Sequence, residues 1–105
     1  MLSFIEDLLA EKAGVSIIFR GLMLQQAAMP LQSLVQSFGV TGVMRVGPSH
    51  IELLLEGSKP RLERLAKAVS QASFITSASH VMEVGWTAYQ RRYSSFRVGF
   101  ATARL

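Results

Sequence analysis

The chain has 105 residues, half of them apolar and 17% charged, which suffices for one hydrophobic core and excludes a disordered or purely solvating segment. Eleven Lys and Arg against seven Asp and Glu leave a net charge of +4, a mild excess that favours anions without naming nucleic acid as the partner. There is no cysteine, which excludes disulfide, iron–sulfur and thiolate-zinc chemistry, and there is no asparagine.

Residues 1–14 predict an amphipathic helix. Ser3 and Glu6 have capping-box spacing, and Leu2, Ile5, Leu8 and Leu9 recur at helical intervals. Gly14 is placed to stop this helix, and Lys12 suits its C-terminal end. Glu6, Asp7 and Glu11 interrupt the apolar residues and no basic region precedes them, so the segment does not read as a signal peptide. No stretch approaches the roughly 18 apolar residues of a membrane span. A soluble cytoplasmic protein is the expectation.

Residues 15–23 form a near-continuous apolar run, the pattern of a buried strand. Pro30 suits a helix start, and Leu31, Leu34, Val35 and Phe38 follow i, i+3, i+4, i+7 up to Gly39. Val40, Met44 and Val46 then alternate with Thr41, Val43 and Arg45. After the turn Gly47-Pro48-Ser49, Ile51, Leu53 and Leu55 alternate with Glu52, Leu54 and Glu56, which predicts an antiparallel hairpin. Ser58 is the candidate cap of a second helix with Pro60 in its first turn, and Leu62, Leu65, Ala66 and Val69 make its core stripe. Residues 81–86 read as a strand, and Phe96, Val98 and Phe100 alternate as a last one.

The order is a helix, then β-α-β-β-α-β, then a further strand. This is the split βαβ pattern of the ferredoxin-like α+β fold, a sheet with two helices on one face, and it predicts one domain over residues 1–105 with its core in 15–105. The first helix must bury its own stripe, either on the second face of the sheet or against another subunit. In the second case Leu2, Phe4, Ile5, Leu8 and Leu9 form the core of a homo-oligomer interface.

Isolated chemical groups are uninformative. His50 and His80 have no carboxylate spacing to suggest a metal site, and Ser94-Ser95 lacks a nucleophile elbow. Arg91, Arg92, Arg97 and Arg104 with Tyr89, Tyr93 and Phe96 offer a basic aromatic patch, but no RNP-type motif accompanies them. Trp86 and the five methionines read as core and gap-filling residues.

Two segments carry a resemblance. Gly39-Val40-Thr41-Gly42-Val43-Met44 leads through the hairpin to Leu53-Leu54-Leu55-Glu56-Gly57, and Arg91-Arg92-Tyr93-Ser94-Ser95-Phe96-Arg97-Val98-Gly99-Phe100 follows. Together they resemble the BLUF domain, a flavin-binding blue-light sensor of ferredoxin-like fold, over about residues 15–100. The resemblance implies a flavin site at or near Phe19, Thr41 and Leu53. In that family a strand Tyr and a strand Gln exchange hydrogen bonds with the flavin, and an Asn from the first helix holds its ring. Here the matching positions are Phe19 and Leu53, the Asn has no counterpart, and residues 19–41 are shorter than the family segment. A flavin with unpaired polar edges in an apolar slot binds poorly. No cofactor is therefore expected, and the scaffold is read as a small regulatory or protein-interaction domain. FAD-dependent light sensing is the alternative.

The hairpin also resembles acylphosphatase, whose Gly-Val-x-Phe-Arg phosphate loop and Thr-Gly-x-Val-Arg-Asn strand share this topology. Residues 14–20 are one residue too long for that loop, and Val46 stands where the catalytic Asn belongs. Hydrolysis then lacks a group to orient the attacking water. The expectation is no enzymatic activity, with acyl-phosphate hydrolysis and nucleic-acid binding as further alternatives.

Overall fold

Three apolar strands set the centre of the sheet because their alternate residues have a complete layer of helices to bury against. The computed structural model describes residues 10–21, 24–78 and 81–100. Its elements are β1 (Lys12–Arg20), a 3-10 turn (Leu24–Ala27), α1 (Ala28–Ser37), β2 (Thr41–Val46), β3 (His50–Ser58), α2 (Lys59–Gln71), α3 (Ser73–Thr76), β4 (Val81–Ala88) and β5 (Phe96–Phe100). The strands lie in the order β4-β1-β3-β2-β5. All neighbours are antiparallel except β5, which runs parallel to β2. This is the expected ferredoxin-like sheet with a fifth strand on its β2 edge.

The inner face carries Val15, Ile17 and Phe19 of β1, Met44 and Val46 of β2, and Ile51, Leu53 and Leu55 of β3, all buried. Against them pack Leu31 and Val35 of α1 and Leu62, Leu65 and Val69 of α2. Each such side chain contributes about 1.5–3 kcal/mol by leaving water, so this layer dominates stability. Both helices obey the stripes expected of them. The chain leaves α1 through Gly39, whose φ of 66° is left-handed and whose N–H bonds the Gln36 carbonyl at 3.1 Å.

Three local expectations change. Gly14 does not end a helix: it lies inside β1, opposite Glu56 of β3 and Thr87 of β4. A side chain there would collide with the Thr87 hydroxyl, so the missing Cβ serves strand packing rather than helix termination. The strand accordingly begins at Lys12 and ends at Arg20, short of Met23. Ser58 occupies the N-cap position of α2 without a capping bond from its hydroxyl; the Lys59 N–H instead bonds the Glu11 carbonyl at 2.8 Å. The polar stretch after α2 contains the short α3, which tucks Ile75 into the core. The expected interface residues Leu2, Phe4, Ile5, Leu8 and Leu9 lie outside the described residues.

The connection from β4 to β5 has to cross the whole sheet, because those strands occupy opposite edges. Four strand spacings of roughly 4.8 Å make about 19 Å, within the roughly 25 Å that seven linking residues can reach. Residues 89–95 form a strap across the outer face, and each central strand ties it down. Lys12 of β1 places its ammonium 5.4 Å from the Tyr89 ring centre. Glu56 of β3 accepts backbone N–H bonds from Gln90 at 2.9 Å and Arg92 at 2.8 Å. The Gly42 N–H of β2 bonds the Ser95 carbonyl at 2.9 Å.

Candidate functional site

The sequence-predicted flavin positions do not share one surface. Phe19 and Leu53 sit on adjacent strands on the inner face, where pairing of Phe19 with Ile51 and of Ile17 with Leu53 makes them diagonal neighbours. Both are 0% exposed, within the cluster that holds Leu31, Val35, Leu62 and Leu65. Thr41 is in the opposite register, its hydroxyl donating to the Glu56 carbonyl at 3.3 Å. Among the described residues the buried polar groups belong to Glu56 and Ser58, and neither shares the register of Leu53. The residues at the slot between helices and sheet thus offer hydrocarbon, not donors and acceptors, to a flavin's polar edge, and they do not fit that group.

The segment compared with a phosphate loop is strand throughout. Residues 14–20 pair with β3 on one side and β4 on the other, so their amides are committed to ladders and cannot converge on an anion. Val46 is buried at 1% exposure. Arg20 emerges at the end of β1, 3.4 Å from the Glu83 carboxylate, with both side chains well exposed. A shallow cleft of about 210 Å³ beside it is lined by Ile18, Arg20, His50 and Glu52. No group of three His, Cys, Asp or Glu able to hold a metal occurs among the described residues.

A larger cleft, of about 310 Å³, opens under the strap. Its floor is Gly42, Val43 and Arg45 of β2 with Arg97 of β5, and its wall is Arg92, Tyr93, Ser94 and Ser95. Arg92, Tyr93 and Arg97 come from the basic aromatic patch expected from sequence, while Arg45 joins them from a different part of the chain. Phe96 turns to the inner side, and Arg104 is outside the described residues.

Glu56 builds this wall. It is 1% exposed although it lies on the outer face, because the strap passes over it. Its two oxygens hold the amides of Gln90 and Arg92, which flank Arg91 in the left-handed conformation at φ 56°. That backbone kink points both N–H groups at one anion, a nest closed by the protein's own carboxylate. The Arg92 guanidinium approaches Glu56 only to 3.9 Å and lies 5.7 Å from the Tyr93 ring centre. Alternation alone reads Glu56 as one more outward residue of β3. The signal available in the sequence was an acidic residue beside Gly57 within the Leu53–Gly57 motif.

Gly42 completes the anchorage. Its φ of 148° is one that side chains rarely adopt, and a Cβ would come within 2.8 Å of the Leu55 Cα. Only glycine lets β2 approach β3 this closely while donating to Ser95.

No family model matches the sequence, and no curated protein matches it. Among solved structures, full-length HypF in its phosphate- and nucleotide-bound form is similar with a TM-score of 0.71 at 12% identity; the match covers 90% of this chain and 13% of HypF. The acylphosphatase from Bacillus subtilis gives 0.64 at 14% identity, over 82% of this chain and 97% of that one. BlrB, a BLUF protein in its dark state, gives 0.68 at 16% identity, over 88% of this chain and 74% of that one. Likeness at such identity defines the fold: a ferredoxin-like α+β scaffold of the arrangement shared by acylphosphatases and BLUF proteins. No helix among the described residues is long and apolar enough to cross a membrane.

Proposed function

We propose that the chain is a non-catalytic interaction domain on a BLUF-like scaffold, free of flavin photochemistry, which self-associates through its β4 edge. The observation that carries the reading is the pair Phe19 and Leu53, fully buried and hydrocarbon where light sensing requires a phenol and an amide. Absence of catalysis is supported by the strand conformation of residues 14–20 and by the burial of Val46.

The surface favoured for association is β4. It is an edge strand eight residues long, and it holds Val84 and Trp86 at 43% and 44% exposure. Natural edges are ordinarily guarded by Lys, Pro or a bulge, whereas the one charge within β4, Glu83, is occupied by Arg20. An antiparallel edge pairs naturally with its own copy about a two-fold axis, joining two sheets and covering both Trp86 side chains.

The visible spectrum and solution mass of the purified protein test this. A colourless dimer that Trp86→Lys converts to a folded monomer is expected, with no hydrolysis of an acyl phosphate above background in either wild type or Arg20→Ala. A yellow protein with flavin absorption red-shifted by blue light overturns the reading of the slot. A monomeric wild type overturns the edge interface.

A further inference from the structure

On the face of the sheet away from the helices, the cleft under the strap has the composition of a ligand site. We infer that it binds a nucleoside monophosphate, with the phosphoryl group held by Arg45, Arg97 and the Ser94 and Ser95 hydroxyls and the flat ring lying toward Tyr93. This does not depend on the function proposed above, which concerns the opposite face and the β4 edge.

Arg45 and Arg97 lie on one face of adjacent strands. Val43 pairs with Arg97 and Arg45 with Gly99, so the two arginines are diagonal neighbours, and both line the cleft. Like charges so placed repel, and an oxyanion between them removes the repulsion. Arg45 is held by Glu52 at 3.4 Å in an exposed pair, a contact weak enough to yield to a ligand. Arg97 has no carboxylate within ion-pair distance among the described residues, and neither serine hydroxyl there has a partner. Gly99 leaves open space beside Arg45: a Cβ at that position meets nothing within 4 Å.

The cleft is too large for a lone phosphate ion. Its volume of about 310 Å³ falls at the lower end of small-ligand pockets, and Tyr93 and Val43 supply apolar surface next to the arginines. An aromatic side chain beside guanidinium groups suits a planar heterocycle bearing a phosphate, through stacking and charge together. A nucleic-acid strand fits less well, because acidic residues interrupt this face: Glu83 faces Arg20, and Glu52 faces Arg45 at the cleft itself. Among the described residues no continuous basic track follows from the cleft to carry a polyanion.

Calorimetric titration of the full chain at low salt tests the site with AMP, ribose 5-phosphate, inorganic phosphate and a short single-stranded oligonucleotide. AMP is expected to bind about tenfold more tightly than ribose 5-phosphate, as one stacked ring implies, and inorganic phosphate more weakly still. Arg97→Ala and Arg97→Gln each weaken AMP about tenfold, the size of one lost charge-assisted hydrogen bond. Tyr93→Ala weakens AMP but leaves the affinity for inorganic phosphate unchanged, and Lys67→Ala on α2 changes neither. The proposal is overturned by absence of saturable AMP binding, by AMP affinity indifferent to both Arg97 variants, or by phosphate binding as tightly as AMP. An oligonucleotide that binds far more tightly than AMP, with steep salt dependence, also overturns it in favour of a nucleic-acid surface.

Discussion

Replacing Glu56 by Ala should loosen the strap and cost a large share of the domain's stability. The carboxylate, 1% exposed, accepts two backbone N–H bonds at 2.9 and 2.8 Å. Hydrogen bonds to a charged acceptor contribute about 1.5–3 kcal/mol each. Gln90 and Arg92 are exposed residues, so water recovers part of the loss, leaving a net cost of about 2–4 kcal/mol. With a urea m-value of about 2 kcal/mol per molar, in the middle of the usual range, the midpoint should fall by about 1–2 M. Glu56→Gln keeps one acceptor and should cost about half as much. Arg92→Ala should cost less than about 1 kcal/mol, since the strap is held by the backbone of Arg92 and its half-exposed side chain makes only a long ion pair. Urea unfolding, with hydrogen exchange at the Gln90 and Arg92 amides, measures all three. A Glu56→Ala midpoint equal to wild type, with both amides still protected, would refute the pinning role; so would an Arg92→Ala variant as unstable as Glu56→Ala.

Leu53→Gln in a Phe19→Tyr background introduces the residue types of a BLUF light sensor, yet the protein should retain no flavin after incubation with FAD and removal of the unbound cofactor. It should also lose about 3–5 kcal/mol, combining lost burial with an unsatisfied buried amide, as read by thermal unfolding; a stable yellow complex would contradict the reading of the slot. Gly42→Ala should destabilise by about 2 kcal/mol or more, because the backbone is left-handed and Leu55 stands in the way. Denaturant melts check this, and an unchanged midpoint would show that β2 can shift. Trp86→Lys should abolish self-association without reducing the melting temperature by more than a few degrees, since the side chain is already 44% exposed; sedimentation and calorimetry read the two effects separately.

Most secondary structure was legible because periodicity is a local property. The inner residues of β2 and β3 and the stripes of α1 and α2 appear where alternation and the 3.6-residue repeat place them. Gly14 was misleading for a reason outside its neighbourhood: its lack of a side chain answers to Thr87, some seventy positions away. The short α3 was hidden in a polar stretch whose one buried anchor, Ile75, shows no repeat.

The sequence by itself determined the order of the five strands and the two long helices, the sheet's inner layer, and the hydrocarbon character of Phe19 and Leu53. Tertiary structure alone decided that Thr41 faces away from them, that Glu56 is buried, and that Arg45 meets Arg92 and Arg97 in one cleft. The physical reason is the path of the strap. A chain that must pass from β4 to β5 across three intervening strands buries whatever lies beneath it and assembles residues from three elements. No pattern within those elements records that crossing.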